Sequence, residues 1–162
     1  MNPSGLAVRP GAPDDEDSVV AANLAMALET EDLVLNAEVL RRGVRRALSA
    51  PPDCRYFIAQ PAAGGDPVGQ LMVTREWSDW RDAWVWWIQS VYVWPAHRGN
   101  GVYRRLYAAV LAEAAAAGVP VVRLYVDTRN TSAQATYAAL GMDGGHYQVF
   151  EATLPAPVGP GT

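Results

Sequence analysis

The chain has 162 residues; 13 basic side chains against 17 acidic ones leave a formal charge of −4, and every base is Arg. With 50% apolar and 19% charged residues it reads as one folded domain, residues 1–154, followed by a Pro/Gly-rich tail at 155–162. The acidic balance argues against nucleic acid as a partner, and no apolar run nears the roughly 20 residues that span a membrane. A lone Cys54 and the lack of a secretory pattern at the start fit a reducing cytoplasm.

Leu6 to Arg9 reads as a first strand, stopped by Pro10-Gly11. Pro13 and the acids Asp14 to Asp17 suit the first turn of a helix, where negative charge meets the positive end of the macrodipole. Val20, Leu24 and Leu28 recur on one helical face until the acids Glu29 to Asp32 break the pattern. A second helix, about Asn36 to Ser49, carries Leu40, Val44 and Leu48 and is closed by Pro51-Pro52. Tyr56–Ala59 and Val68–Thr74 read as a hairpin across a Pro/Gly turn. A polar, Trp-containing connection, Glu76 to Asp82, leads to the longest strand signal, Trp84 to Val93, which Pro95 ends.

A helix through Leu106, Val110 and Ala114 follows, ended by Gly118; then come a strand, Val121 to Val126, a helix from Thr131 to Leu140, and a last strand, Tyr147 to Thr153. Thr131 with Gln134 makes a capping-box pattern, and Gly141 stands just past the helix end. The order is strand, two helices, three strands, helix, strand, helix, strand. That order predicts an α/β (α+β) fold with a mixed sheet, antiparallel first and parallel across the helix that follows Val93.

The segment with most chemistry is Val91 to Tyr103. A strand ends, Gly99 and Gly101 permit a tight turn, and a helix begins with its amides unpaired, an arrangement that attracts phosphate. By itself the pattern favours a plain helix start that merely needs flexible residues. A P-loop requires Lys, which the chain lacks, and a dinucleotide fingerprint requires Gly where Arg104 stands.

What remains is Arg-x-x-Gly-x-Gly/Ala after a strand, here Arg98 to Tyr103, with Tyr103 in place of the small residue. This resembles the acetyl-CoA signature of the GNAT superfamily of N-acetyltransferases. A second resemblance runs from Asn130 through Ala133 and Tyr137 to Gly141-Met142, with Met142 where the family has an aromatic. The resemblance extends from Leu6 to about Thr153 and implies the GNAT acyltransferase fold. It implies main-chain groups of Val91, Tyr92 and Val93 for the pantetheine arm, and amides of Arg98, Gly99, Asn100, Gly101, Val102, Tyr103 and Arg104 for the diphosphate. Asn130 and Ala133 would lie against the cofactor.

Tyr137 is then the expected general acid, since a phenol stays protonated at neutral pH and is able to serve the departing thiolate; the plain alternative is a Tyr packing its helix. Glu76 is the first choice of base, beside the apolar bulk of Trp77 and Trp80. Glu29 and Glu31, with Trp77 and Trp80, are expected on the acceptor side, where carboxylates and aromatic faces suit a cationic amine. Trp84, Trp86 and Ile88 share one strand face, Val85, Trp87 and Gln89 the other, and most of these fill a core. His97 and His146 do not form a metal-ligand cluster, and no metal is expected.

The expectation is therefore transfer of an acetyl group from acetyl-CoA to a primary amine, on a small molecule or a peptide, by direct attack in a ternary complex. The rival is a noncatalytic acyl-CoA-binding or sensor module on the same fold. The superfamily leaves a homodimer open.

Overall fold

The computed structural model describes residues 5–49, 53–145, 147–152 and 154. Pro51, Pro52, His146, Thr153 and the tail at 155–162 lie outside the described residues. The chain divides into two compact units, residues 1–125 and residues 126–162.

The first unit holds β1 (Leu6–Pro10), α1 (Glu16–Glu31), α2 (Ala37–Ser49), β2 (Cys54–Pro61), β3 (Gly69–Ser78), β4 (Ala83–Val93), α3 (Val102–Ala116) and β5 (Val122–Leu124). The sheet runs β1-β2-β3-β4-β5 in space. Neighbours are antiparallel except β4 and β5, which are parallel and joined through α3. The mixed sheet is as the element order predicts.

Alternation along β2 decides which helix covers which face. Tyr56 and Ile58 point to one side and pack with Val19 and Val20 of α1 and Val44, Ala47 and Leu48 of α2. Phe57 and Leu71 pair across the ladder on the other side and are fully buried, as are Leu106 and Val110 of α3. Each such side chain contributes about 1.5–3 kcal/mol on leaving water. Arg55, on the Phe57 side, pairs with Glu113 of α3.

Three boundaries differ from the sequence reading. α1 continues through the acids to Glu31, and Asp32 ends it in the left-handed region at φ 52°. β3 runs on through Glu76 and Trp77 to Ser78, so the connection to β4 is only the short 3-10 turn Asp79–Arg81 and Asp82. Cross-strand pairing of Trp77 with Trp84 accounts for the extension, their rings meeting edge to face at 5.2 Å. β5 is shorter than expected, because only Trp86, Trp87 and Ile88 of β4 meet it.

In the second unit α4 spans Thr131–Ala139. Its cap is Asn130, whose side-chain oxygen accepts the Ala133 N–H at 3.0 Å. The capping box expected from Thr131 and Gln134 does not form: the cap lies one residue earlier, because Asn is the better cap and Thr131 already has helical geometry, and Gln134 instead donates to Asp127 O and Thr128 O. Gly141 follows the helix at φ 82°, as its place in the sequence predicts. The final strand expected over Tyr147 to Thr153 is not formed by residues 147–152, which adopt no regular element. There Tyr147, Val149 and Phe150 are exposed, so the β-prone composition finds no ladder.

Candidate active site

β4 changes character at Gln89. The register with β3 steps from Met72↔Ser90 to Val73↔Ile88, which leaves Gln89 as an extra residue in β4. A bulge of this kind switches the side-chain phase. Tyr92 therefore falls on the α1 side of the sheet, the side that Thr74, Glu76 and Trp87 also share.

The same point is where the sheet opens. β5 pairs with β4 only from Trp86 to Ile88, so from Gln89 to Val93 the far edge of β4 has no strand beside it among the described residues. The Trp94 N–H reaches Val68 O at 3.1 Å, which turns the main chain of Tyr92 toward β3 and that of Val91 and Val93 toward the open edge. Of the three residues expected to offer their backbone, Val91 and Val93 have their main chain directed to the open edge. Tyr92 differs, because the ladder takes its main-chain groups and its side chain is what faces α1.

The open edge leads into a short 3-10 turn, Pro95–His97, and then Gly99 and Gly101, both near φ +75°. Gly101 caps α3, and the first intrahelical amide bond is Arg105 to Gly101 at 3.2 Å. The amides of Gly99, Asn100, Gly101, Val102 and Arg104 donate to no group among the described residues. The Arg98 amide is different, since it bonds Pro95 O at 3.2 Å. Tyr103 stacks near Tyr107, with ring centroids 6.0 Å apart. Five donors between Gly99 and Arg104 at a helix start, with no side chain above either glycine, can hold an anion.

Glu29 lies at the end of α1, and both of its oxygens meet Arg98, at 2.6 and 2.7 Å. The Tyr92 hydroxyl donates to the same carboxylate at 3.3 Å. The hydrogen bonds from Arg98 outweigh partial burial and hold the Glu29 carboxyl below its usual range. Glu31 ends the same helix, exposed.

Glu76 has neighbours other than those expected. The Trp87 indole N–H donates to it at 2.9 Å and Arg123 to its other oxygen at 3.4 Å. Trp77 sits on the opposite sheet face with Trp84, and Trp80, at the tip of the turn, is 89% exposed. Side chains alternate along β3, so adjacency in sequence puts Glu76 and Trp77 on opposite faces. Trp87 itself stacks on Tyr125 at 4.5 Å, with Arg123 5.5 Å from its ring. Beneath α1, Gln70 donates to Asn23 at 2.9 Å and Asn23 to the Tyr56 hydroxyl at 3.3 Å, a buried polar chain.

In the second unit Asn130, Ala133 and Tyr137 follow one another at spacings of three and four, along one face of α4. Burial pushes the Tyr137 phenol above its ordinary pKa. Sequence reasoning missed Trp87, Tyr125 and Arg123, which only strand pairing brings around Glu76. A cavity of about 300 Å³ between Gly11, Leu48, Tyr56 and Glu113 belongs to a different place. Glu113 is twelve residues along α3 from Gly101, roughly 18 Å at 1.5 Å per residue. Among the described residues no cluster of His, Cys, Asp or Glu is arranged to hold a metal, and no helix is long and apolar enough to cross a membrane.

The sequence profile of the acetyltransferase (GNAT) family matches residues 25–142. Among solved structures, a possible acetyltransferase from Clostridium difficile 630 superposes with a TM-score of 0.86 at 32% identity, over 94% of this chain and 99% of that one. The aminoglycoside N-acetyltransferase AAC(6')-Iy, in complex with CoA, superposes with a TM-score of 0.73 at 19% identity, over 91% of this chain and 94% of that one. An aminoglycoside acetyltransferase from an uncultured soil metagenomic sample, in complex with trehalose, does so with a TM-score of 0.76 at 17% identity, over 94% and 98%. Among curated proteins none matches. With the split sheet, the glycine turn and the profile match in agreement, the chain belongs to the acetyltransferase (GNAT) family.

Proposed function

We propose that this protein is an acetyl-CoA-dependent N-acetyltransferase of the cytoplasm that moves an acetyl group onto a primary amine by direct attack in a ternary complex, with residues 1–154 as its one catalytic domain. The observation that carries the reading is the open edge of β4 from Gln89 to Val93, running into the glycine turn with its undonated amides. Acetyl-CoA supplies an activated acyl thioester, and these groups suit its two recognisable parts. The Val91 N–H and C=O and the Val93 N–H are free to pair with the amide-bearing pantetheine arm as an added strand would. The amides of Gly99, Asn100, Gly101, Val102 and Arg104 suit the diphosphate, aided by the α3 dipole. Tyr103 keeps its amide at this turn but narrows the space above it.

Catalysis then requires a donor for the thioester oxygen, a route for the ammonium proton and a proton for the thiolate. A main-chain N–H of the open β4 edge serves as the first. Glu76, on the α1 side of the sheet, takes the amine proton directly or through water. Tyr137, protonated at neutral pH, is the candidate acid toward the thiolate, and Asn130 and Ala133 are candidate cofactor contacts. Glu31, Trp80 and the Trp87–Tyr125 pair are the candidates for the acceptor approach; Trp77, on the opposite sheet face with Trp84, is not. Aminoglycosides are named for two of the similar structures, and a polyamine-like or aminoglycoside-like cation fits the acidic balance of this chain.

The test is thiol release from acetyl-CoA with a panel of amines. Release that depends on both reactants supports the enzyme, and none with any amine overturns it. A noncatalytic acyl-CoA-binding module is the second reading, favoured by the pairing of Glu76 with Trp87 and Arg123. It predicts a higher Tm with coenzyme A and no turnover.

A further inference from the structure

We propose that Glu29 is a positioning residue for the diphosphate turn, holding that turn and the end of the open β4 edge in place through the Arg98 guanidinium. The inference rests on reading the opening of the sheet as a coenzyme A cleft. Glu29 and Arg98 are 69 residues apart, one at the end of α1 and the other in the turn before α3. Their two bonds, 2.6 and 2.7 Å, form a parallel fork, the strongest geometry an Arg–carboxylate pair has. The third guanidinium nitrogen, Nε, donates to Val93 O at 2.9 Å. Arg98 also lies 5.4 Å from the Tyr92 ring, whose hydroxyl completes the cluster on Glu29.

Two consequences follow. All three guanidinium nitrogens have protein acceptors, so Arg98 has no free fork with which to grip a phosphate in the bidentate manner, and the diphosphate falls to the main-chain amides. Val93 O is also one of the groups facing the open edge, and Arg98 closes the edge there. The strut thus sets both the last free position on the pantetheine side and the placement of the turn that follows. Asn100, whose Nδ2 donates to His97 O and Arg98 O at 3.3 Å, tightens the same turn from within. Glu29 in this role organises the cofactor side from α1, and Glu31, two residues on, points to another face of the helix.

The experiment is isothermal titration of coenzyme A into the full chain and into Glu29→Gln, Glu29→Asp, Arg98→Lys and the Glu29→Gln/Arg98→Lys double variant. Glu29→Gln keeps the shape and removes the charge, and weakens binding about five- to tenfold, the scale of one net hydrogen bond. Arg98→Lys weakens it similarly, and the double variant is no weaker than the worse single one, because both break the same strut. Glu29→Asp, which keeps the carboxylate, restores most of the affinity. Unaltered or tighter binding by Glu29→Gln, additive losses, or equal weakening by Asp and Gln each overturn the proposal. A wild type that takes up no coenzyme A overturns the cleft and this inference with it; a wild type that binds while Glu29→Gln binds as well overturns the inference alone.

Discussion

Trp87 donates its indole N–H to Glu76 at 2.9 Å, across two strands whose pairing places both side chains on the α1 side of the sheet. The bond fixes the direction of the carboxylate, opposite Val85 and beside the stretch of β4 that pairs with β5. If Glu76 carries the amine proton away, Glu76→Gln keeps the indole partner and removes the proton acceptor. The expected result is a large fall in kcat. An enzyme whose kcat stays where it was has its base elsewhere.

Tyr137 invites a different separation. Burial raises its pKa above the ordinary value, so the phenol holds its proton throughout the neutral range. A general acid of this kind contributes about 100-fold or more to turnover. Tyr137→Phe is therefore expected to lower kcat by about that factor while the Kd for coenzyme A stays within about twofold. Weakened binding with kcat intact makes Tyr137 a packing residue.

How far the sequence reveals this arrangement depends on the range of the interaction. The α3 start is legible because its cause is local: Gly99 and Gly101 take φ near +75° a few residues from the strand end that they follow. The helix faces of Leu106, Val110 and Ala114 are legible for the same reason, since a period of 3.6 needs no partner. The surroundings of Glu76 are not, because the contacts come from Trp87 and Arg123, on two other strands. The bulge at Gln89 is hidden too: it shows as a change of register between β3 and β4, and without it Tyr92 falls on the wrong face. Glu29 looks like one acid among several until the fold brings Arg98 to it.

Two glycines near the cleft separate strain from crowding. At Gly101 an added Cβ meets nothing within 4 Å, but the backbone stands at φ +74°. Gly101→Ala is expected to cost about 1–2 kcal/mol of stability through the left-handed conformation alone. Gly69 is in β3, where an added Cβ comes within 3.1 Å of both Tyr92 O and a methyl of Val102, and within 3.3 Å of Val93. Gly69→Ala pushes the end of β4 away from the start of α3, at about 1–3 kcal/mol for overpacking. Chemical denaturation and coenzyme A titration check both. Gly69→Ala loses affinity even where it is folded, and a variant that binds normally shows that β4 and α3 move apart without harm to the cleft.

Glu16 provides the pH dependence. Hydrogen bonds from Arg45 and then Arg41 lower its pKa from 4.5 to about 2, and they join the first turn of α1 to α2. A carboxyl with a lower pKa folded than unfolded binds fewer protons in the native state, so its stabilisation is complete above about 4.5 and fades as the pH falls toward about 2. Glu16→Gln removes that contribution at every pH. Its Tm is expected to lie below that of the wild type at pH 7, with the gap narrowing through pH 4 and closing near pH 2. A gap that stays constant into acid assigns the loss to packing of the helix pair rather than to charge. Because α1 also carries Glu29 to the cofactor turn, the wild type is further expected to bind coenzyme A less tightly at pH 4 than at pH 7, through a looser α1, and Glu16→Gln to be weaker already at pH 7.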